Sequence, residues 1–198
     1  MFNPHNWYWL NDNGAVYSSS RQAIVAKTDS DYLAWTDAGG IATRWPEDEL
    51  SNQTYEALFA VVSVYGLVVA ESIIKAAKQK RVAELSEICA AKIIGGFSSA
   101  ALGDSHTYPS DIKAQINLMG SVTDSLMPGL PTDWQTPFWV SDADGAWSYR
   151  MHNIAQIQQA GRDGKAHVVT CQAILEALTA EVSVAETAEA AASITWPT

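Results

Sequence analysis

The chain has 198 residues, 47% of them hydrophobic, and a formal net charge of −10 at pH 7. That length and apolar content suit one medium domain, or a small domain joined to a larger one, and argue against wholesale disorder. The acidic balance argues against sequence-independent nucleic-acid binding, which needs Lys and Arg clustered at the phosphates, and fits a soluble protein that meets other proteins or neutral glycans.

Trp7 to Leu10, Asn11-Asp12-Asn13-Gly14 and Ala15 to Ser18 read as a β-hairpin, because aromatic and β-branched flanks suit strands and Asn-Gly supplies the positive φ of a tight turn. Asp29 to Ala38 reads as a short helix, capped by Thr28 or Asp29 and ended by Gly39-Gly40, and Ile41 to Trp45 returns as a strand. The expected β-β-α-β module covers residues 1–46 and is too small for a self-sufficient core. Its hairpin is expected to pack on the helix through Trp9, Tyr17, Tyr32 and Trp35.

Pro46 followed by Glu47, Asp48 and Glu49 predicts a helix start, with acids at the positive end of the dipole, continuing to about Tyr65 before Gly66. A longer helix is predicted from Leu67 to Ile94, with Val82, Leu85, Cys89 and Ile93 on one face. Its less regular first part makes residues 47–80 a candidate connector. Gly95-Gly96 closes it, Phe97 lies in a short extended piece, and Ser110-Asp111 opens a helix whose expected inner face is Ile112, Ile116, Met119 and Val122.

A proline-fixed loop, Pro128 to Pro137, leads into two short strands around Asp142-Ala143-Asp144-Gly145, one carrying Trp139 and the other Trp147. Whether those indoles share a face depends on the register of the turn. Helical spacing resumes from Met151 and His152 through Ile154, Ile157, Cys171, Leu175 and Leu178, with Gly161 and Gly164 as candidate breaks. An alanine-rich last helix precedes Trp196-Pro197-Thr198. The fold class is therefore α+β: the β-rich module, a helical connector, and a mainly helical domain over 81–198 with one aromatic β-hairpin.

The chemistry-bearing residues form no familiar catalytic pattern. His5, His106, His152 and His167 lack metal-ligand spacing, so neither a metal nor another cofactor is expected. Asp142 and Asp144 before Gly145 lack the acid that a calcium loop needs six places on, where Met151 stands. Ser98-Ser99 and His106 come without a nucleophile elbow, Asp111, Asp133, Asp142 and Asp144 are scattered through turns, and no phosphate-binding glycine loop is present. The expectation is a non-enzymatic protein. Cys89 and Cys171 read as buried free thiols. Met1 to Leu10 lacks the pattern of a secretory leader, and the longest apolar run, 57–70, is too short to span a bilayer, so cytoplasmic synthesis without membrane insertion is expected. Trp134, Trp139 and Trp147, with Trp196 near the end, are candidate partner-binding anchors.

The stretch from about Lys80 to Trp196 resembles a small domain family of unknown function, found in phages and prophages beside tail-fibre genes. The resemblance is carried by Arg81, Gly96-Phe97-Ser98, Gly103, Tyr108, Gln115, Asn117, Leu118, Trp147, His152, Gln156 and Ile194-Thr195-Trp196. Val16-Tyr17-Ser18-Ser19, Asp29 through Trp35 and Gly40 through Trp45 resemble a module that often precedes it. Such a resemblance implies a tail-fibre assembly factor or tail-tip accessory protein, with phage tail-fibre or tail-tip proteins as partners, made in the host cytoplasm and carried in the virion tail if it persists. It implies no catalytic residue. Within that frame Tyr108, Gln115, Asn117, His152 and Gln156 form a candidate polar cluster, either ordering the Gly96 to Tyr108 loop or lining a glycan or peptide pocket. The alternatives are a module contacting host-surface glycan through the Trp-rich hairpin, and a tail-associated envelope hydrolase.

Overall fold

The computed structural model describes residues 2–197. Thr198 of the expected tail lies outside them. The fold is α+β and divides into two compact units, one comprising residues 1–81 with 184–193 and the other 82–183 with 194–198.

The first unit contains β1 (Tyr8–Leu10), β2 (Val16–Ser18), β3 (Ala23–Val25), α1 (Ser30–Asp37) and β4 (Thr43–Arg44), with the sheet order β3-β2-β1-β4. β1 and β2 form the expected antiparallel hairpin, and β4 returns parallel to β1. β3, three residues long, was not legible in the sequence. Asp29 is the α1 N-cap, accepting from the Asp31 and Tyr32 amides, and Gly39 turns the chain with φ 88°. A Cβ on Gly40 would stand 2.4 Å from the Trp35 ring, so glycine lets the indole fold back.

Period two in β1 corrects the expected packing of the hairpin. Tyr8, with Trp7, meets α1, its ring 5.1 Å from Tyr32 and 5.0 Å from Trp35. Trp9 and Tyr17, opposite each other across the hairpin, instead enter a core with Trp45, Leu58, Val62, Leu67 and Val69. Those last four residues lie in the expected connector, which here supplies core.

No helix begins at Pro46. The Asp48 carboxylate accepts from the Leu50 and Asn52 amides, and Ser51 has φ 60°, so local side-chain bonding holds a turn in place of helix. α2 (Tyr55–Val62) starts later, capped by Thr54, and passes through a single 3₁₀ turn, Ser63–Tyr65, to left-handed Gly66. α3 (Ala70–Ile94) follows, and the division between the units falls within it.

In the second unit, β5 (Phe97–Ser99), β6 (His106–Tyr108), β7 (Gln135–Ser141) and β8 (Trp147–Asn153) form an antiparallel sheet in sequence order, adding β5 and β6 to the expected hairpin. His106 is therefore a strand residue rather than a loop residue, and His152, expected to open a helix, lies in β8. Gly96 has φ 103°, and a Cβ there would stand 2.9 Å from the Tyr108 carbonyl oxygen, so only glycine admits β5 beside β6. α4 (Ile112–Asp124) is capped by Asp111, and α5 (Ile154–Val184) runs unbroken before α6 (Ala188–Ser193).

Gly161 and Gly164 do not break α5: Cβ atoms there would stand 2.7 Å from Val122 and 3.0 Å from the Phe97 ring, so both glycines make room for close neighbours. The core joins Phe97, Tyr108, Leu118, Phe138, Val140, Ile157 and Ala160. Leu85, Cys89 and Cys171 are also buried, both cysteines being free thiols, whereas Val82 and Leu175 are only half-buried and Ile154 is exposed. Burial raises the Cys89 thiol pKa, with the nearby Cys171 adding to it.

The α4 inner face keeps Val122 of the four residues expected there and loses Ile112, Ile116 and Met119. Leu118 is buried and Val122 packs against the core, while Ile112, Ile116 and Met119 face solvent. Leu118→Ala should therefore destabilise by about 2–5 kcal/mol in denaturant titration, and Ile116→Ala by less than about 0.5 kcal/mol. Equal losses would restore the original face.

Candidate functional site

β7 and β8 place the aromatic residues. Asp142 organises their turn: its amide donates to the Ala146 carbonyl at 3.1 Å, and its carboxylate accepts from the Asp144 and Ala146 amides. Gly145 supplies φ 81°. The register that results sets Trp139 opposite Tyr149, Pro137 opposite Met151 and Ser141 opposite Trp147. Alternation then sends Phe138, Val140 and His152 inward, and Trp139, Trp147, Tyr149 and Met151 outward.

Trp139 and Trp147 share the outer face, their rings 6.3 Å apart and inclined by only 15°, and Tyr149 meets Trp139 edge-on at 4.9 Å. Trp139 is 41% exposed, Trp147 43%, Met151 53% and Tyr149 69%. Large apolar groups in that number, adjacent and in water, make a platform able to stack on a flat ligand or anchor a protein interface. Tyr149 and Met151 were missed in the sequence, although counting by twos from Trp147 finds both.

The remaining tryptophans lie elsewhere. Trp134 turns toward the core and donates from Nε1 to Asp124 at 3.2 Å. Trp196 is half-buried in the segment after α6.

The five polar candidates do not form one cluster. Tyr108 and His152 meet in full burial, with Oη and Nε2 2.7 Å apart. His152 Nδ1 lies 2.9 Å from the Arg150 carbonyl, which can only accept, so Nδ1 carries the proton and Tyr108 donates to Nε2. Gln115 donates to the Ser110 carbonyl at 2.7 Å and orders the entry to α4. Gln156 and Asn153 exchange bonds of 2.9 and 3.0 Å in a reciprocal cap at the start of α5. Asn117 is exposed on α4. Tyr108, Gln115, His152 and Gln156 thus hold structure at three separate places.

Burial pushes the Tyr108 phenol up to about 12, with the charge of Asp163 adding to it. Burial also holds His152 below the usual histidine value, with His106 contributing and the bond to Arg150 opposing.

Ser99 and His106 face each other across β5 and β6. Their bonds lead elsewhere, however: Ser99 Oγ donates to Asp163 at 2.5 Å and the His106 ring bonds the Asp104 carbonyl at 2.9 Å. Asp163, which also accepts from Gln159 at 2.7 Å, ties the β5–β6 turn to α5. Asp111 and Asp142 are engaged in a cap and a turn. Among the described residues no group of three His, Cys, Asp or Glu side chains is placed to hold a metal, and no helix is long and apolar enough to cross a membrane. A largely apolar groove of about 700 Å³ lies beside α4 and α5, lined by Phe97, Leu118, Met119, Val122, Leu126 and Val168 among others.

Residues 76–195 match the family described as "Domain of unknown function (DUF4376)", a span that holds the sheet, α4, α5 and the platform. No curated protein and no solved structure matches the chain.

The neutral His152 gives a pH test. Because its folded pKa is depressed, its contribution to stability is complete above the unfolded value of about 6.5 and is lost as pH falls through the lowered folded value. Chemical denaturation should show the protein less stable at about pH 5.5 than at about pH 7.5, and His152→Gln should flatten that difference. An unchanged slope in the variant would assign the effect to other groups. His152→Phe, which leaves the Tyr108 hydroxyl buried without its acceptor, should cost about 1–3 kcal/mol.

Proposed function

We propose, for this chain that belongs to the DUF4376 family, a non-enzymatic role as a phage tail accessory protein that docks on the tail fibre through the platform of Trp139, Trp147, Tyr149 and Met151. One observation carries this reading: four large apolar side chains stand exposed on one rigid sheet face. Such a surface costs free energy in water, and aromatic anchors in a desolvated patch often dominate binding. The sheet fixes where the side chains start, and the mutual ring contacts of Trp139, Trp147 and Tyr149 limit their rotamers, which reduces the conformational entropy lost when a partner covers them. The tail-fibre partner itself rests on the sequence resemblance. The protein would act in the host cytoplasm during assembly and stay in the tail if the contact outlasts assembly.

A second reading is a host-surface glycan stacked on Trp139 and Trp147, favoured by their nearly parallel rings. Isothermal titration against the tail-fibre protein of the same phage or prophage, and separately against purified host-envelope polysaccharide, distinguishes the two. Trp139→Ala, folded by circular dichroism, should weaken fibre binding by about 2 kcal/mol, or about 30-fold. Native-strength binding by the folded variant would remove the platform from the interface. Binding of the polysaccharide alone would select the glycan reading.

A further inference from the structure

Among the described residues β8 is the last strand of its sheet, so one side of its backbone has no neighbouring strand there. The ladder shows which groups face that side. The Asp142 amide bonds the Ala146 carbonyl, and antiparallel pairs alternate between bonded and non-bonded. Ser148, Arg150 and His152 therefore bond β7, while Trp147, Tyr149 and Met151 direct their N–H and C=O groups away from it. Pro137, which has no N–H, fits this alternation, since it stands opposite Met151 at a non-bonded pair. The Asn153 amide, on the same outer side, is occupied by Gln156.

Edges of this kind are ordinarily guarded by proline, lysine or a bulge, because an open row of backbone groups templates another strand. β8 contains no proline or lysine, its one charge is Arg150, whose backbone bonds β7, and its pairing with β7 continues without a bulge from Trp147 to Asn153. The residues with outward backbone groups are also those whose side chains build the exposed platform.

We infer that β8 pairs with β8 of a second copy of this chain, antiparallel about a two-fold axis through Tyr149, joining two four-stranded sheets into one. The sequence Trp147-Ser148-Tyr149-Arg150-Met151 is self-complementary in that register. Tyr149 faces the partner's Tyr149, and Trp147 faces the partner's Met151, an indole against a polarisable thioether. Each of these pairs exchanges two backbone bonds, which uses the outward N–H and C=O groups of Trp147, Tyr149 and Met151. Arg150 falls opposite the partner's Ser148, so no like charges meet. Centring on Arg150 instead would oppose two guanidinium groups and waste the occupied Asn153 amide. The Tyr149-centred register also brings Asp144 level with the partner's Ile154, the first residue of α5, where a carboxylate meets the positive end of a helix dipole. The contact is isologous and closes at two copies. It leaves Trp139, on β7, free to serve a further partner on a doubled aromatic face.

The pairing uses the surface proposed for fibre binding but stands or falls separately. Sedimentation equilibrium of the full chain at about 100 μM and about 0.15 M salt, where charge repulsion is screened beyond about 8 Å, should give twice the 21.4 kDa chain mass. Tyr149→Lys sets two ammonium groups against each other at the axis and should weaken self-association by about ten-fold or more. Met151→Pro removes one outward N–H without touching a bond to β7 and should do the same. A 21.4 kDa species in the native protein overturns the inference. So does a trimer, or a dimer that both variants leave intact. If either variant fails to fold, the other decides. A monomer that binds fibre through Trp139 overturns the pairing alone, whereas a two-fold dimer whose fibre binding ignores Trp139→Ala overturns the functional reading alone.

Discussion

One aromatic row across the second sheet holds that unit together. Phe97, Tyr108, Phe138 and His152 come one from each strand; Phe97 stacks on Tyr108 at 5.3 Å, Tyr108 lies 6.0 Å from Phe138, and Tyr108 bonds His152. The Tyr108–His152 bond spans from β6 to β8 and excludes water, so a shift of β8 by one residue would bury Met151 or Asn153 in place of His152 and leave the Tyr108 hydroxyl unsatisfied. Fixing the inner row fixes the outer face as well, because side chains alternate. The exposure of Trp139, Trp147, Tyr149 and Met151 is thus the necessary complement of an inner face that is filled and hydrogen-bonded.

The sequence made several parts of this legible because their signals are local. The Asp-Gly turn, the cap at Thr28 or Asp29 and the Asn-Gly hairpin each rest on chemistry within a few residues, and the opening of α4 at Ser110-Asp111 is equally local, although the capping side chain is Asp111 and not Ser110. What failed depended on distant partners. β3 and β6, three residues each, lack the Asn-Gly turn that marks the equally short β1 and β2, and β5 shows in the sequence only as an extended piece around Phe97. His152 to Ile157 contains apolar residues at spacings that fit a strand end and a helix start equally, and only the Tyr108 hydroxyl decides between them. On α4, Val122 faces the core as its spacing suggests, whereas Ile112, Ile116 and Met119 point outward and Leu118, one turn before Val122, is buried instead. Gly161 and Gly164 read as breaks until Val122 and Phe97 show what occupies the space.

Of the candidate site, Trp139 and Trp147 could be named from their sequence, but their shared face could not, since it needed the register. The polar candidates illustrate the opposite difficulty. Tyr108, Gln115, His152 and Gln156 have the chemistry of a pocket, yet each is occupied by a strand, a loop or a helix end. A platform that works by shape and apolar area carries no catalytic spacing for a sequence to display. The family match, residues 76–195, covers nearly all of this unit, while the first unit has its own core around Trp9, Tyr17 and Trp45.

The central claim is that one register buries the inner row and exposes the outer one, and hydroxyl-radical footprinting of the full chain reads both at once. Trp139, Trp147, Tyr149 and Met151 should be oxidised readily, while Tyr108, Phe138 and Trp45 are protected. Tyr149 and Tyr108 make the sharpest comparison, because they share intrinsic reactivity and differ from 69% to 0% in exposure. Equal oxidation of the two tyrosines, or protection of Trp139 to the level of Trp45 in the isolated protein, would contradict the account.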